Sequence, residues 1–174
     1  AAFKASKSPK NKVIGMAGIL DSARLSYFIS EELNVSVKEV SSLVLGSHGE
    51  NMIPMLSLSK VNGVKLEDLL SKNKINKLVQ RTKEAGAEII LLLQENASFS
   101  VGAATAKLVE SIIKDEKKVL PCSAYLKGEY GLRDLFIGVP CVIGAKGIEK
   151  IIELKLSKQE KEQLSAAAKR IKEM

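Results

Sequence analysis

Val119-Leu120-Pro121-Cys122-Ser123-Ala124-Tyr125-Leu126, then Leu135 to Ile143, then Ile148 to Leu156, is the stretch that decides the fold. Each run is apolar, short and strand-like. Gly128-Glu129-Tyr130-Gly131 joins the first run to the second, and Gly144-Ala145-Lys146-Gly147 joins the second to the third. Connections this short leave no room for a crossover, so consecutive strands pair antiparallel. On the C-terminal side, Ser157 followed three residues later by Glu160 is a capping box. It starts a last helix, which should dock on the sheet.

On the N-terminal side the period changes. Ser100 to Lys114 offers Ala103, Ala104, Leu108, Ile112 and Ile113 as one helical face, after a turn at Asn96 and Ser98. Leu66 to Leu93 is predominantly helical, with breaks expected near Asn73 and at Gly86. Asn62-Gly63 between Val61 and Val64 signals a hairpin, and Met52 to Val61 before it is extended. Val40 to Leu45 reads as a strand ending at His48. Leu20 to Leu33 has a helical apolar face at positions 25, 28, 29 and 33, closed by Asn34. Val13 to Gly18 reads as a short strand ending in a glycine turn, and residues 1–12 carry no apolar period. The fold class is therefore α+β, an antiparallel sheet packed with long helices, with no internal repeat and no interior linker.

Composition narrows the function. The 174 residues, 45% hydrophobic and 27% charged, are enough for a domain with a real core. The longest apolar run, Ile89 to Leu93, is too short to span a bilayer, so no membrane role is expected. No signal-peptide pattern is present, and the first residue is not Met. Cys122 and Cys141 lie in strand-like runs without CxxC spacing, which predicts buried thiols in a reducing, cytoplasmic compartment. One histidine and two separated cysteines argue against a zinc site, and no metal is expected. The net charge of +7 is concentrated at the ends, where the C-terminal lysines alternate with glutamates as on a solvated helix face. With aromatics at 4% and none interleaved with the basic residues, nucleic acid is not the expected partner. The charge equally favours attraction of a small anion.

His48 is the only histidine, bracketed by Gly46 and Gly49 where a short strand runs out. Asp21 and Arg24 lie three apart, on one face of the first long helix. Spacing alone favours a plain reading: a capping acid, an exposed ion pair worth about 0–1 kcal/mol, and a packed or solvated histidine. A sharper reading joins the three. Asp21 would accept the ring N–H of His48, Arg24 would clamp a carboxylate with its two-pronged fork, and His48 would exchange a proton with a hydroxyl or carbonyl.

Met16 to Arg24 (MAGILDSAR), Gly46-Ser47-His48-Gly49-Glu50, Val119 to Leu126 and Gly128 to Gly131 together resemble the malate/lactate dehydrogenase family, in its order and spacing. The resemblance covers nearly the whole chain, and the MAG lead-in points to the malate branch that is built like lactate dehydrogenase. It implies the fold of that family's C-terminal domain, lacking most of the Rossmann domain. Residues 1–18 would be the remnant of the dinucleotide-binding domain, its last helix and strand, and residues 19–174 the substrate-binding, catalytic domain. Val13 to Met16 would then be a strand without its sheet neighbour.

The resemblance further implies that His48 is the general acid/base, Asp21 its partner and Arg24 the substrate-carboxylate clamp. Ser98 would line the substrate pocket, and Met52 would lie on the nicotinamide side. The implied activity is NAD-dependent interconversion of malate and oxaloacetate. NAD would be bound mainly by a domain absent from this chain, so an N-terminal dinucleotide-binding chain or domain is the expected partner. A small dicarboxylate is the expected substrate and a homo-oligomer, dimer or tetramer, the expected assembly. The alternatives are half of a lactate or other 2-hydroxy acid dehydrogenase, or a non-catalytic assembly module that keeps the fold.

Three features depart from the family pattern. Glu50 stands where Asp is usual, and Leu25-Ser26 where Phe-Arg is frequent, which argues against sugar-phosphate regulation. No GxGxxG follows a strand. The chain is therefore expected to be a fragment that needs its N-terminal half.

Overall fold

The computed structural model describes residues 2–96 and 98–173 and, at Glu50, the backbone only. Its helices are α1 (Ala2–Ser6), α2 (Ala17–Leu33), α3 (Leu66–Leu69), α4 (Lys72–Leu93), α5 (Ser98–Ile113) and α6 (Lys158–Glu173). Its strands are β1 (Val40–Ser41), β2 (Val44–Gly46), β3 (Met52–Pro54), β4 (Lys60–Val61), β5 (Val64–Lys65), β6 (Lys118–Lys127), β7 (Arg133–Gly144) and β8 (Gly147–Ile151).

The main sheet runs β3-β2-β7-β6, with β8 also on β7. Its spine is the antiparallel β6–β7 ladder, from Lys118↔Ile143 to Lys127↔Arg133, and β7 turns back onto β8 at Gly144↔Gly147. The three consecutive strands expected from the sequence are thus present, and the fold is α+β. The third strand stops at Ile151 instead of reaching Leu156. There the Tyr130 hydroxyl donates to the Ile152 carbonyl (2.7 Å) and accepts from the Leu154 N–H (3.1 Å), so a side chain takes over from the ladder.

Other elements differ from expectation for local reasons. The strand expected over 40–45 divides: β1 joins a small sheet β1-β4-β5, while β2 joins the main one. At the division the Ser42 hydroxyl donates to the Ser22 carbonyl of α2 (3.1 Å) and lies 2.8 Å from the Ser26 hydroxyl. That contact turns the chain from one sheet to the other. The break expected near Asn73 falls at Leu70–Ser71, where Ser71 caps α4. No break occurs at Gly86, where a single glycine costs an otherwise continuous helix about 1 kcal/mol. The strand expected over 13–18 contracts to one bridge, Gly15 to Ser123 of β6 (3.1 and 2.8 Å), so this segment has a sheet neighbour.

Several signals held. Asn62 and Gly63 both take positive φ (44° and 85°), the conformation of a two-residue hairpin turn, between Val61↔Val64. Asn34 ends α2 in the left-handed region. The Ser157 N–H donates to Glu160 (2.8 Å), and the Glu160 N–H donates to the Ser157 hydroxyl (3.3 Å).

Helix α2 joins two apolar cores. Ile19 and Leu20 pack with the sheet, α5 and α6, while Leu25, Phe28 and Ile29 pack with α3, α4 and the β2–β3 hairpin. Leu25 and Ile29 are fully buried, each worth about 1.5–3 kcal/mol of hydrophobic burial. Asp21 and Ser22 fall between the two apolar groups, which is how polar residues come to be buried in the N-terminal half of this helix. Cys122 and Cys141 are free, buried thiols. Burial pushes both up to about 12, so neither is a thiolate at neutral pH. No described helix is long and apolar enough to cross a membrane.

Candidate active site

The site begins with Ser22. Its hydroxyl accepts the Val44 N–H (2.9 Å), which fixes α2 against the start of β2. Four residues after Val44 the chain reaches His48, which opens the Gly49–Asn51 turn leading into β3. Two glycines let this hairpin lie close to β7. Gly46 has φ of +85°, and a Cβ on Gly138 would stand 2.5 Å from the Gly46 carbonyl oxygen. Any side chain at 138 would push the His48 hairpin off the sheet.

This scaffold brings together residues 27 apart in sequence. His48 Nδ1 lies 3.0 and 2.9 Å from the two Asp21 carboxylate oxygens. Asp21 is 1% exposed, whereas the His48 side chain is 52% exposed. Asp21 thus accepts the Nδ1 proton from a fixed position, which leaves Nε2 of the neutral ring with its lone pair. Beside the imidazole is a cavity of about 220 Å³ lined by small residues such as Gly18, Gly46 and Gly138 and by the larger Phe136, Ile137 and Ile171.

Arg24 approaches Asp21 from the other side, with Nη1 3.9 Å from Oδ1. Its side chain is 10% exposed, and among the described residues its buried Nε has no hydrogen-bond partner. Native proteins rarely leave such a donor unsatisfied, and a ligand site is one reason to do so. Arg24 lines a largely apolar groove of about 480 Å³ between α2, α4 and α5. Arg81 lines the same groove, but its charge is engaged by Glu31 (2.6 Å) and Glu88 (3.1 Å), with its guanidinium 4.2 Å above the Phe28 ring. Arg24 is the other guanidinium of the groove, paired with Asp21 at 3.9 Å through Nη1 and with a buried Nε that has no partner among the described residues.

Burial raises the Asp21 carboxyl above its ordinary value of 3.8, opposed by the His48 hydrogen bond and by the charges of His48 and Arg24. The folded state therefore keeps this proton where the unfolded chain has lost it. Stability from this group is full below pH 3.8 and falls as pH rises through the raised folded-state value. Asp21→Asn does not titrate. The melting temperature of the variant minus that of the parent should thus increase from pH 4 to pH 7 in paired thermal melts. A difference that decreases would mean that His48 and Arg24 outweigh burial.

The remaining sequence candidates lie elsewhere. Ser98 is exposed at the first turn of α5 and lines neither the cavity nor the groove, whereas Ser100, two residues on, lines the groove. Met52 is 3% exposed, with its side chain in the core shared by Leu25 and Leu66 and its backbone opposite Gly46. The Glu50 departure falls on a side chain outside the described residues. Sequence reasoning missed Ser22, Gly138 and the groove itself. A glycine inside a strand was the available signal for Gly138. A serine on an otherwise buried helix face was the signal for Ser22.

Residues 19–174 match the model of the lactate/malate dehydrogenase family's alpha/beta C-terminal domain. The chain is 47% identical over 163 residues to a malate dehydrogenase of Sorangium cellulosum (strain So ce56), covering 94% of this chain and 52% of that protein. It is 45% identical over 171 residues to a malate dehydrogenase of Geobacillus sp. (strain WCH70), covering 98% and 55%. Among solved structures, malate dehydrogenase from Salinibacter ruber matches with a TM-score of 0.96 at 46% identity, covering 99% of this chain and 56% of that one. A lactate dehydrogenase from Eimeria maxima, solved with NADH and oxamate, matches at 0.93 and 38%, covering 98% and 55%. The chain spans about half the length of the curated relatives it matches.

Proposed function

This chain belongs to the lactate/malate dehydrogenase family, with the fold of its α/β C-terminal domain, and from that premise we propose that it is the catalytic half of an NAD-dependent malate dehydrogenase. The observation that carries the proposal is the His48–Asp21 pair: a buried carboxylate on Nδ1, and Nε2 on a half-exposed ring beside a cavity.

In malate oxidation, neutral His48 accepts the hydroxyl proton at Nε2 while Asp21 holds the Nδ1–H and stabilises the imidazolium that forms. In oxaloacetate reduction, protonated His48 donates from Nε2 to the carbonyl oxygen. Arg24 holds a substrate carboxylate by paired N–H donors, which sets the reacting carbon against Nε2. The nicotinamide, when bound, supplies the hydride acceptor. A flat ring would lie beside His48 against Gly18, Gly46 and Gly138, with Phe136 and Ile137 as apolar walls. A cradle for the dinucleotide's phosphates is not formed by the described residues: all their strand pairs are antiparallel, and no glycine-rich strand-to-helix turn occurs. We therefore assign most of the NAD site to a dinucleotide-binding domain outside this chain, which is also its main partner.

Malate is preferred to lactate because identities to the malate enzymes run from 38% to 47%, against 37–38% for the lactate enzymes. Assembly of the kind proposed, with the dinucleotide domain and as a homo-oligomer, has apolar surface to use. Leu91, Leu92 and Phe99, at the α4–α5 corner, are 80%, 73% and 88% exposed. Two free buried thiols suit a cytoplasmic setting.

The test is reconstitution. The chain joined to or mixed with a dinucleotide-binding domain should oxidise NADH on addition of oxaloacetate, with a higher kcat/KM than for pyruvate. A correctly assembled pair without turnover would overturn the proposal, and a preference for pyruvate would transfer it to the lactate reaction.

A further inference from the structure

Helix α6 reaches the His48 hairpin at its last turn. Arg170 donates through Nη1 to the Oδ1 of Asn51, 119 residues away in sequence. The next residue, Ile171, lines the His48 cavity. Asn51 closes the turn that begins after His48, and its carbonyl accepts the Ser47 N–H at 3.4 Å, a long bond. Among the described side chains of the 47–51 loop, those of His48 and Asn51 hydrogen-bond to the rest of the domain. His48 meets Asp21 on one side, and Asn51 meets Arg170 on the other.

The second anchor has a firm base. Leu164, Ala167 and Ala168 seat α6 in the main core. Its first turn is held by the capping box and by the Ser57 hydroxyl donating to Glu160 (2.7 Å). With α6 so fixed, Arg170 ties the loop to the sheet side of the domain independently of α2. Removing that tie leaves the loop held at its base by the Gly46↔Met52 pair and at the imidazole by Asp21, with the Asn51 side free to shift.

We propose that Arg170 is a positioning residue for His48: by holding Asn51 it fixes the 47–51 loop, and with it the aim of Nε2. The effect on turnover rests on the reading of His48 as the proton-transfer group, but the effect on the imidazole does not. Because His48 is the only histidine, its ring resonances need no assignment. In ¹⁵N NMR the parent should show one dominant neutral tautomer, protonated at Nδ1.

Arg170→Ala and Asn51→Ala should each broaden the ring signals and mix the tautomers. In the assembled enzyme, each should lower kcat about five- to tenfold, because misaimed groups lose rate faster than binding. KM for oxaloacetate should stay within about twofold, and Arg170→Lys should recover much of kcat. The double variant should be no worse than either single one, since both break the same tie. A parent without turnover would sink the proton-transfer reading, while the ring spectra would still decide the anchor. Unchanged spectra and kcat in Arg170→Ala, losses that add in the double variant, or a lower melting temperature with kcat unchanged would each overturn the anchor.

Discussion

His48→Asn should lower kcat for oxaloacetate reduction by about 10²–10⁴-fold, the range general acid–base groups contribute. Its fold should survive. The side chain is 52% exposed, so the substitution opens no core cavity. The Asn amide can still donate to the Asp21 carboxylate, which keeps the buried acid partnered. Surface changes of this kind stay within about 0.5 kcal/mol, or about 2 °C in melting temperature for a domain of this size. What Asn lacks is a nitrogen that can take and return a proton. The proposed carboxylate clamp at Arg24 is untouched, so KM should change little while kcat collapses, the mark of an interaction made in the transition state. Stopped-flow NADH oxidation by the assembled enzyme, with a melt of each protein, measures both. A kcat within about fivefold of the parent would move the proton-transfer role to another group.

The elements legible in the sequence were those fixed by neighbours a few residues away. Gly144 to Gly147 forces β7 and β8 together because four residues cannot cross a sheet. Asn62-Gly63, the Ser157–Glu160 box and Asn34 likewise act within one turn of chain. What stayed hidden depends on contacts between distant segments. Ser42 divides the strand expected over 40–45 only because Ser22 and Ser26, on α2, lie beside it. The site follows the same rule. Asp21, Arg24 and His48 were identifiable as a set from motif resemblance. Their meeting depends on Ser22 holding Val44 and on Gly138 admitting the hairpin, and neither has a local signature strong enough to dictate it. Ser98 and Met52 illustrate the converse. Each is a candidate from the resemblance alone; helix phase leaves Ser98 exposed, and strand alternation turns Met52 into the core.

Arg24→Lys retains the charge at the site and should still lower kcat/KM for oxaloacetate about 10²-fold. The guanidinium is held at 10% exposure against Asp21, with Nη1 3.9 Å from the carboxylate and Nε unsatisfied among the described residues. An incoming carboxylate would meet a planar fork with spare donors. Lysine offers one rotatable ammonium, so one of two charge-assisted hydrogen bonds is lost, at about 1.5–3 kcal/mol. Each 1.36 kcal/mol is a factor of about ten. The compact ammonium would also be drawn to Asp21 and compete with His48 for the same oxygens, adding a fall in kcat to the rise in KM. Folding should not suffer, because the substitution removes a buried donor without a partner. Arg24→Ala separates charge from geometry. Added guanidinium ion should restore part of its activity, and an equal concentration of ammonium ion much less. A kcat/KM for Arg24→Lys within about threefold of the parent, or equal rescue by the two cations, would show that Arg24 acts as a point charge and not as a fork.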